Sequence, residues 1–413
     1  MSATTPGVLR PAPGAARAAL VAGAMRALPA VFRLLRAAWP IPRFGNTVAV
    51  TRHDDVREVF QNDAAFRVPY KPKLDVLMGG QPFFLGMDDT PDYRRDTAAM
   101  RQVVRSADIP GRLAPATEAL AERLVAGAGG RIEVVDLVRQ VTFTVIGDYL
   151  GIPEPPDGDL RVWATRLFEF QFADRGRGPA LRREVDAIAP ALARHIQSLI
   201  ERRREGGGAD DDVLGRCLQM QAAGVPGFTD DQIRTSLTGF IVGGPPQPPM
   251  VVPQAMEQLL RRPEALAGAQ KAARDGDDTL LAGHVFEAMR FDPLAPALPR
   301  IATRDVTIAA GTPRARRVQK GSNVLVAFSS AMMDGRRVAD PDRFDPRRFP
   351  HDYIHFGNGL HTCFGIHINQ AILPLMLKPL LRRPGLRRAA GAEGRLSKRG
   401  AFAERLVVEY AER

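Results

Sequence analysis

Residues 356–365 read FGNGLHTCFG, and the cysteine in that stretch, Cys363, organises the reading of the whole chain. A thiolate serves as a metal ligand only when it is deprotonated and kept from oxidation. Those demands favour a tight loop that aims backbone N–H groups at sulfur. They also favour a loop that opens a helix, whose dipole supports negative charge. Gly357, Gly359 and Gly365 suit such a loop, because glycine tolerates positive φ and lets backbone come close to a flat cofactor. Phe356 can shield the sulfur from water, and His361 can donate a hydrogen bond to a carboxylate. Other uses of cysteine fit less well. A lone buried cysteine is usually an inert small hydrophobe. A nucleophile needs a base and an orienting group that the local sequence does not offer, and zinc needs further ligands at suitable spacing.

At every specified position the stretch agrees with the pattern F-x-x-G-x-H-x-C-x-G, and it resembles the haem-binding signature of the cytochromes P-450. The resemblance runs from about residue 45 to the C-terminus. It implies a mainly α protein with a small β lobe, binding one non-covalent haem b with Cys363 as axial ligand to iron. The haem is expected between a distal helix at about 229–261 and the cysteine-loop helix at about 363–382. Upstream, HVFEAMRFDP carries Glu287 and Arg290, an i, i+3 pair on one helix face. In the family such a pair is buried and joined by an arginine from an irregular segment. FDPRRF puts Arg348 at that position, so Glu287, Arg290 and Arg348 are expected to lock the loop that presents Cys363. By the same resemblance Arg300 and His361 hold the haem propionates. The family's H-x-x-x-R helix reads here PDYRRDTAAMR, with Tyr93 at the histidine position and Thr97 at the arginine position. Tyr93 can still donate a hydrogen bond, and Arg94 and Arg95 are candidates to reach inward.

The distal helix departs further. Oxygen-activating relatives carry A-G-x-[DE]-T there, and the acid and threonine relay protons during O–O cleavage, a case of general acid catalysis through ordered water. This chain reads GFIVGGPPQPPM. Gly243 and Gly244 take the small positions, Pro246 replaces the acid and Gln247 replaces the alcohol. Four prolines in five residues remove backbone N–H groups and predict a broken helix. Gln247 donates and accepts hydrogen bonds but supplies no proton near neutral pH. Gly244 and Gln247 are therefore the distal candidates. The expected reaction uses a peroxide, as a peroxygenase or a lipid hydroperoxide isomerase or lyase. Two alternatives stand beside it: an ordinary dioxygen-dependent monooxygenase, and a non-catalytic haem- or lipid-binding protein.

The chain of 413 residues is 45% hydrophobic and 25% charged, normal for a globular protein. Two cysteines, Cys217 and Cys363, exclude a disulfide framework and suit a reducing, cytoplasmic compartment. The formal charge of +11 comes almost wholly from dispersed arginine, with no nucleic-acid motif. Residues 1–44 form a basic arm ahead of a single domain at 45–413. No transmembrane segment is expected, because Arg26, Arg33, Arg36 and Pro29 interrupt the apolar run. The arm reads either as a helix packed on the body or as an amphipathic helix in peripheral contact with an anionic membrane surface. VPYKPKLDVLMGGQPFFLGM and RLFEFQF are apolar and point to a lipophilic small-molecule substrate. The haem domain takes up the chain, so electrons would come from outside, and the basic charge suits an acidic ferredoxin-type donor.

Local patterns predict the elements. NTVAV reads as a strand, HDDVREVFQND as a helix, and Thr90-Pro91 as the start of a helix through about Val104. RIEVVDLVRQVTFTVIGDYLG reads as one buried helix. Apolar steps of three and four from Leu181 predict a long amphipathic helix with a kink at Pro190. GGGADDD reads as a loop, and Thr229 to Gln232 as a capping box. Further helices are predicted near 251–261, 263–275 and 277–291, strands in PRIATRDVTIA and SNVLVAF, and an irregular stretch from about 334 to 362.

Overall fold

The computed structural model describes residues 15–174, 178–206 and 210–412. Residues 1–14, 175–177, 207–209 and 413, and with them the centre of the GGGADDD stretch read as a loop, lie outside the described residues. The fold is mainly helical with a small β lobe. Helix starts follow the local chemistry. Thr90 accepts from the Tyr93 N–H at 3.2 Å ahead of helix Pro91–Val103. Thr229 and Gln232 cap each other, with Thr229 N–H donating to Gln232 Oε1 at 3.0 Å and Gln232 N–H to Thr229 Oγ1 at 3.3 Å. These bonds satisfy N–H groups that the first turn of a helix leaves unpaired. The helix Pro179–Glu205 buries Leu181, Val185, Leu192, Ile196 and Leu199 along one stripe and continues through Pro190.

One long prediction divides in two. Arg131–Glu133 is a strand, paired antiparallel with Val407–Glu409, and the helix runs only from Val134 to Leu150. Glu133 makes the junction. Its carboxylate accepts from the Val135 and Asp136 N–H groups at 3.0 and 2.7 Å, capping the helix while its backbone stays in the sheet.

The principal sheet has five strands in the order Arg43–Phe44, Thr47–Val50, Asn323–Val326, Leu298–Ala302, Phe66–Arg67. Val48 pairs in parallel with Val324, which pairs antiparallel with Arg300 on its other side. A core of its own, including Ile41, Val50, Phe60, Phe66 and Val326, packs this lobe. The larger helical body has a separate core. Where the two meet, Arg300 and the cysteine loop come together. No helix among the described residues is long and apolar enough to cross a membrane.

The distal helix breaks where the prolines predict. It runs Asp230–Gly243, stops at Gly244 and resumes as Pro248–Leu260. Both arms are largely buried, so packing holds the break in place.

Candidate active site

Three residues ahead of helix Ile366–Leu381, the chain folds back on itself. The Cys363 N–H donates to the Phe356 carbonyl at 2.9 Å, and the Ile366 N–H to the Cys363 carbonyl at 3.2 Å. Gly357 and Gly359 have φ of 76° and 79°. A Cβ on Gly359 would stand 2.0 Å from the Phe60 carbonyl oxygen, so glycine is required for the loop to dock on the helix His53–Gln61. Burial pushes the Cys363 thiol up. The Gly365 N–H, the Asn369 amide and the Arg101 guanidinium pull the other way by favouring the thiolate. A metal cation held there would complete that balance, since coordination favours the thiolate over the thiol.

Behind the loop, Glu287 and Arg290 are wholly buried and doubly bonded, at 2.8 and 2.6 Å. Arg290 also donates to the carbonyls of Met332, Pro341 and Arg343 at 3.1, 2.8 and 3.2 Å. Glu287 further accepts from the Asp345 N–H at 3.0 Å, the Tyr353 hydroxyl at 3.1 Å and Arg348 at 3.3 Å. Each buried charge therefore meets both an opposite charge and hydrogen-bond partners, the condition under which a buried pair persists. The irregular stretch up to the cysteine loop is tied to one helix by these bonds. Tyr353, which the sequence reading did not single out, belongs to the same network.

At the mouth of the loop, Arg300 is 3% exposed and its Nε has no partner. Its Nη1 donates to the neighbouring Pro299 carbonyl at 3.0 Å, and its guanidinium lies 4.9 Å over the Phe60 ring. Burial draws its pKa down, against the pull of Tyr70 and Asp63. His361 stands close by, its pKa drawn down to about 4 by burial and by Arg300. A buried guanidinium with an unsatisfied donor beside a neutral imidazole is a site for an incoming carboxylate. Haem propionates fit it.

The third expected anchor is placed differently. Tyr93 is near His361, with rings edge to face at 5.9 Å, but its hydroxyl donates to the Leu360 carbonyl at 2.7 Å, so it braces the loop. Arg94 and Arg95 turn outward to Asp89 and to Asp92 and Asp96. The expectation that they reach inward is corrected, because local carboxylates capture them. The cation that does reach the loop is Arg101, 4.6 Å over the Phe364 ring. It lies four residues after Thr97, a helical spacing that offered the one available signal.

On the distal side the Gln247 side-chain amide donates to the Gly243 carbonyl, the last of the helix, and the Gln247 N–H donates to the Gly244 carbonyl at 3.1 Å. Gln247 thus closes the break. Phe240, one turn before it, stacks on Phe364 at 5.0 Å, and Phe84 stands 5.5 Å from Phe364. These rings face one another between the distal helix and the cysteine loop, and flat apolar side chains of this kind would suit the faces of a planar macrocycle. A Cβ on Gly239 would meet the Phe83 ring at 2.2 Å, so glycine there lets the Phe83–Phe84 segment lie against the distal helix.

A family model described as Cytochrome P450 matches residues 175–386. The chain belongs to the cytochrome P450 family. Curated relatives span most of it. Cyclomarin C epoxidase of Salinispora arenicola is 26% identical over 355 residues, covering 85% of this chain and 84% of its own. Mycinamicin IV hydroxylase/epoxidase of Micromonospora griseorubida is 27% identical over 364 residues, covering 82% of each. Among solved structures, ligand-free cytochrome P450 TbtJ1 superposes with a TM-score of 0.76 at 26% identity, over 94% of this chain and 98% of its own. This P450 is a haem-dependent oxidoreductase, and its relatives are enzymes, so the reading as a non-catalytic binding protein falls away.

In this P450 Arg300→Leu is expected to release haem faster. Losing a charged hydrogen bond costs roughly 1.5–3 kcal/mol, or about ten- to a hundredfold in rate if it is expressed in dissociation. Haem transfer to excess apomyoglobin measures it, and an unchanged rate would place the propionates elsewhere.

Proposed function

We propose that this P450 is a monooxygenase of a lipophilic small molecule, with Cys363 as the iron ligand and a separate acidic ferredoxin-type protein as electron donor. The apolar wall formed by Phe83, Phe84 and Phe240 carries the substrate class. Phe83 and Phe84 lie 4.3 Å apart, Phe84 and Phe240 6.1 Å apart. Such a wall recognises apolar surface and excludes water. Relatives named as hydroxylases and epoxidases support oxygenation. When bound, haem supplies the iron at which the oxidant is activated. The chain supplies the rest. Asn369, Gly365 N–H and Arg101 hold charge on sulfur, Arg300 and His361 fix the propionate edge, and the aromatic wall orients substrate.

A second reading rests on one observation. The amide of Gln247 is committed to the Gly243 carbonyl, and neither it nor Pro246 can deliver a proton. A preformed peroxide needs less proton delivery than dioxygen, so peroxide-driven oxidation, or rearrangement of a lipid hydroperoxide, also fits.

The two readings separate in one comparison at matched haem concentration, with a ferredoxin and its reductase in one arm and peroxide in the other. Monooxygenation predicts hydroxylated or epoxidised product in the first arm. The weak relay predicts that much of the electron flow ends as reduced oxygen, and that Gln247→Glu raises the share ending in product. Product with peroxide alone would replace the first reading by the second.

A further inference from the structure

The N-terminal helix Ala15–Ala38 is seated at its C-terminal end. The buried Arg36 donates to Ser330 Oγ at 2.9 Å, the Arg36 carbonyl accepts from Arg52 Nε at 3.0 Å, and Arg33 pairs with Asp342 at 2.6 Å. Leu28, Phe32 and Leu35 lie partly covered on the seated side. A neighbouring stripe is bare. Ala27, Val31, Leu34 and Ala38 follow one another at helical spacing, and all four are exposed. Val31 is 46% exposed and Leu34 67%. Trp39 and Phe44 come next along the chain at 43% and 59%, touching edge to face at 5.7 Å. Residues 31–44 therefore hold four of the seven large hydrophobic side chains that are exposed among the described residues. Scattered apolar residues on a surface are ordinary, but a local concentration marks a contact surface.

The charge of the segment says which surface. Seven arginines and no acidic residue precede Asp54; among those described, Arg36 is buried, while Arg33 and Arg43 are exposed beside the apolar stripe and the Trp39–Phe44 corner. We infer that the helix end and the Trp39–Phe44 corner dock this P450 on an anionic lipid bilayer, with Val31, Leu34, Trp39 and Phe44 entering the headgroup boundary. Aromatic rings favour that boundary, and basic side chains are drawn to anionic headgroups. Pairing with a second copy through the same face would bring the exposed Arg33 and Arg43 of one copy towards those of the other. A nucleic acid would satisfy the arginines and leave Leu34 and Val31 in water.

The test uses the full-length holoprotein with phosphatidylcholine vesicles, with and without phosphatidylglycerol. The protein is expected to sediment with the anionic vesicles, to stay in solution with the neutral ones, and to detach as salt rises. The chain has two tryptophans, so Trp163→Phe leaves Trp39 as sole reporter, and its emission is expected to shift to the blue on binding. Val31→Glu/Leu34→Glu is expected to abolish sedimentation while haem content and the ferrous carbonyl spectrum stay as in the parent. Should Trp39 emission prove too quenched by haem, the sedimentation pair alone decides. Absence of binding to anionic vesicles, or undiminished binding by the double variant, overturns the proposal. So does a dimer seen by light scattering in the parent and lost in the variant, which would assign the face to a second copy.

Discussion

Cys363→Ala protein is expected to lose the red-shifted Soret band that the ferrous carbonyl form shows under thiolate ligation. The expectation rests on exclusion as much as on the loop. The only other sulfur that could ionise, Cys217, is fully buried in helix Val213–Ala222, and burial pushes its thiol up to about 12. The nearby Asp212 carboxylate pushes it the same way. Cys363, by contrast, is surrounded by the Gly365 N–H, the Asn369 amide and Arg101, all of which favour the thiolate. A variant lacking the sulfur could keep some haem through the apolar walls and Arg300, but with a nitrogen, oxygen or no axial ligand. Its carbonyl spectrum would then lack the thiolate signature, and oxidation of substrate should fall to background. A thiolate spectrum surviving in Cys363→Ala would show that the ligand lies elsewhere and would dismantle the site as described.

Glu287→Ala should be the most damaging substitution away from the haem. The carboxylate is fully buried, and four donor groups converge on it: Arg290, Arg348, the Tyr353 hydroxyl and the Asp345 N–H. Burial raises its pKa, but Arg290, the Asp345 N–H and Arg348 together outweigh burial and hold it below the usual carboxylate range. Removing it leaves two guanidinium groups buried without their counter-charge, at a cost of roughly 3–5 kcal/mol. That is a large share of a domain's stability, and the expected result is a joint fall in soluble yield, melting temperature and haem content. A pH consequence follows from the depressed pKa. The stability due to Glu287 is complete above its unfolded pKa and is lost as pH falls through the folded one. Acid-induced haem loss should therefore begin at higher pH when the network is weakened, for example in Arg348→Lys. A Glu287→Ala protein with full haem and unchanged melting temperature would reduce the network to a bystander.

Much of this was legible in the sequence because it was local. FGNGLHTCFG places three glycines, a histidine and a cysteine within ten residues, and loop geometry follows from them. The capping box at Thr229 and Gln232, the helix broken between Gly243 and Pro248, and the pair on one face of helix Asp278–Phe291 are likewise set within one or two turns. What was not legible depends on distance along the chain. Arg131–Glu133 looks helical in its own neighbourhood and becomes a strand only because Val407–Glu409 lies beside it. Strands of two or three residues are too short to show a period.

The sequence by itself determined the kind of chemistry: one cysteine in a loop built for a thiolate ligand, and a distal helix that prolines must interrupt. Only the tertiary structure decided which side chains serve that loop. Arg94 and Arg95 carry the same charge as Arg101, yet nearby aspartates draw them outward while Arg101, two turns on, reaches over Phe364. Asn369 and Tyr353 carry no motif and gain roles through what packs against them. Gln247, read as a replacement for an alcohol, is drawn to the Gly243 carbonyl, because its own N–H, which an unbroken helix would give to Gly243, turns to the Gly244 carbonyl instead. A motif records which groups the chain can offer, and the competition among folded neighbours for hydrogen bonds and charge decides where each is used.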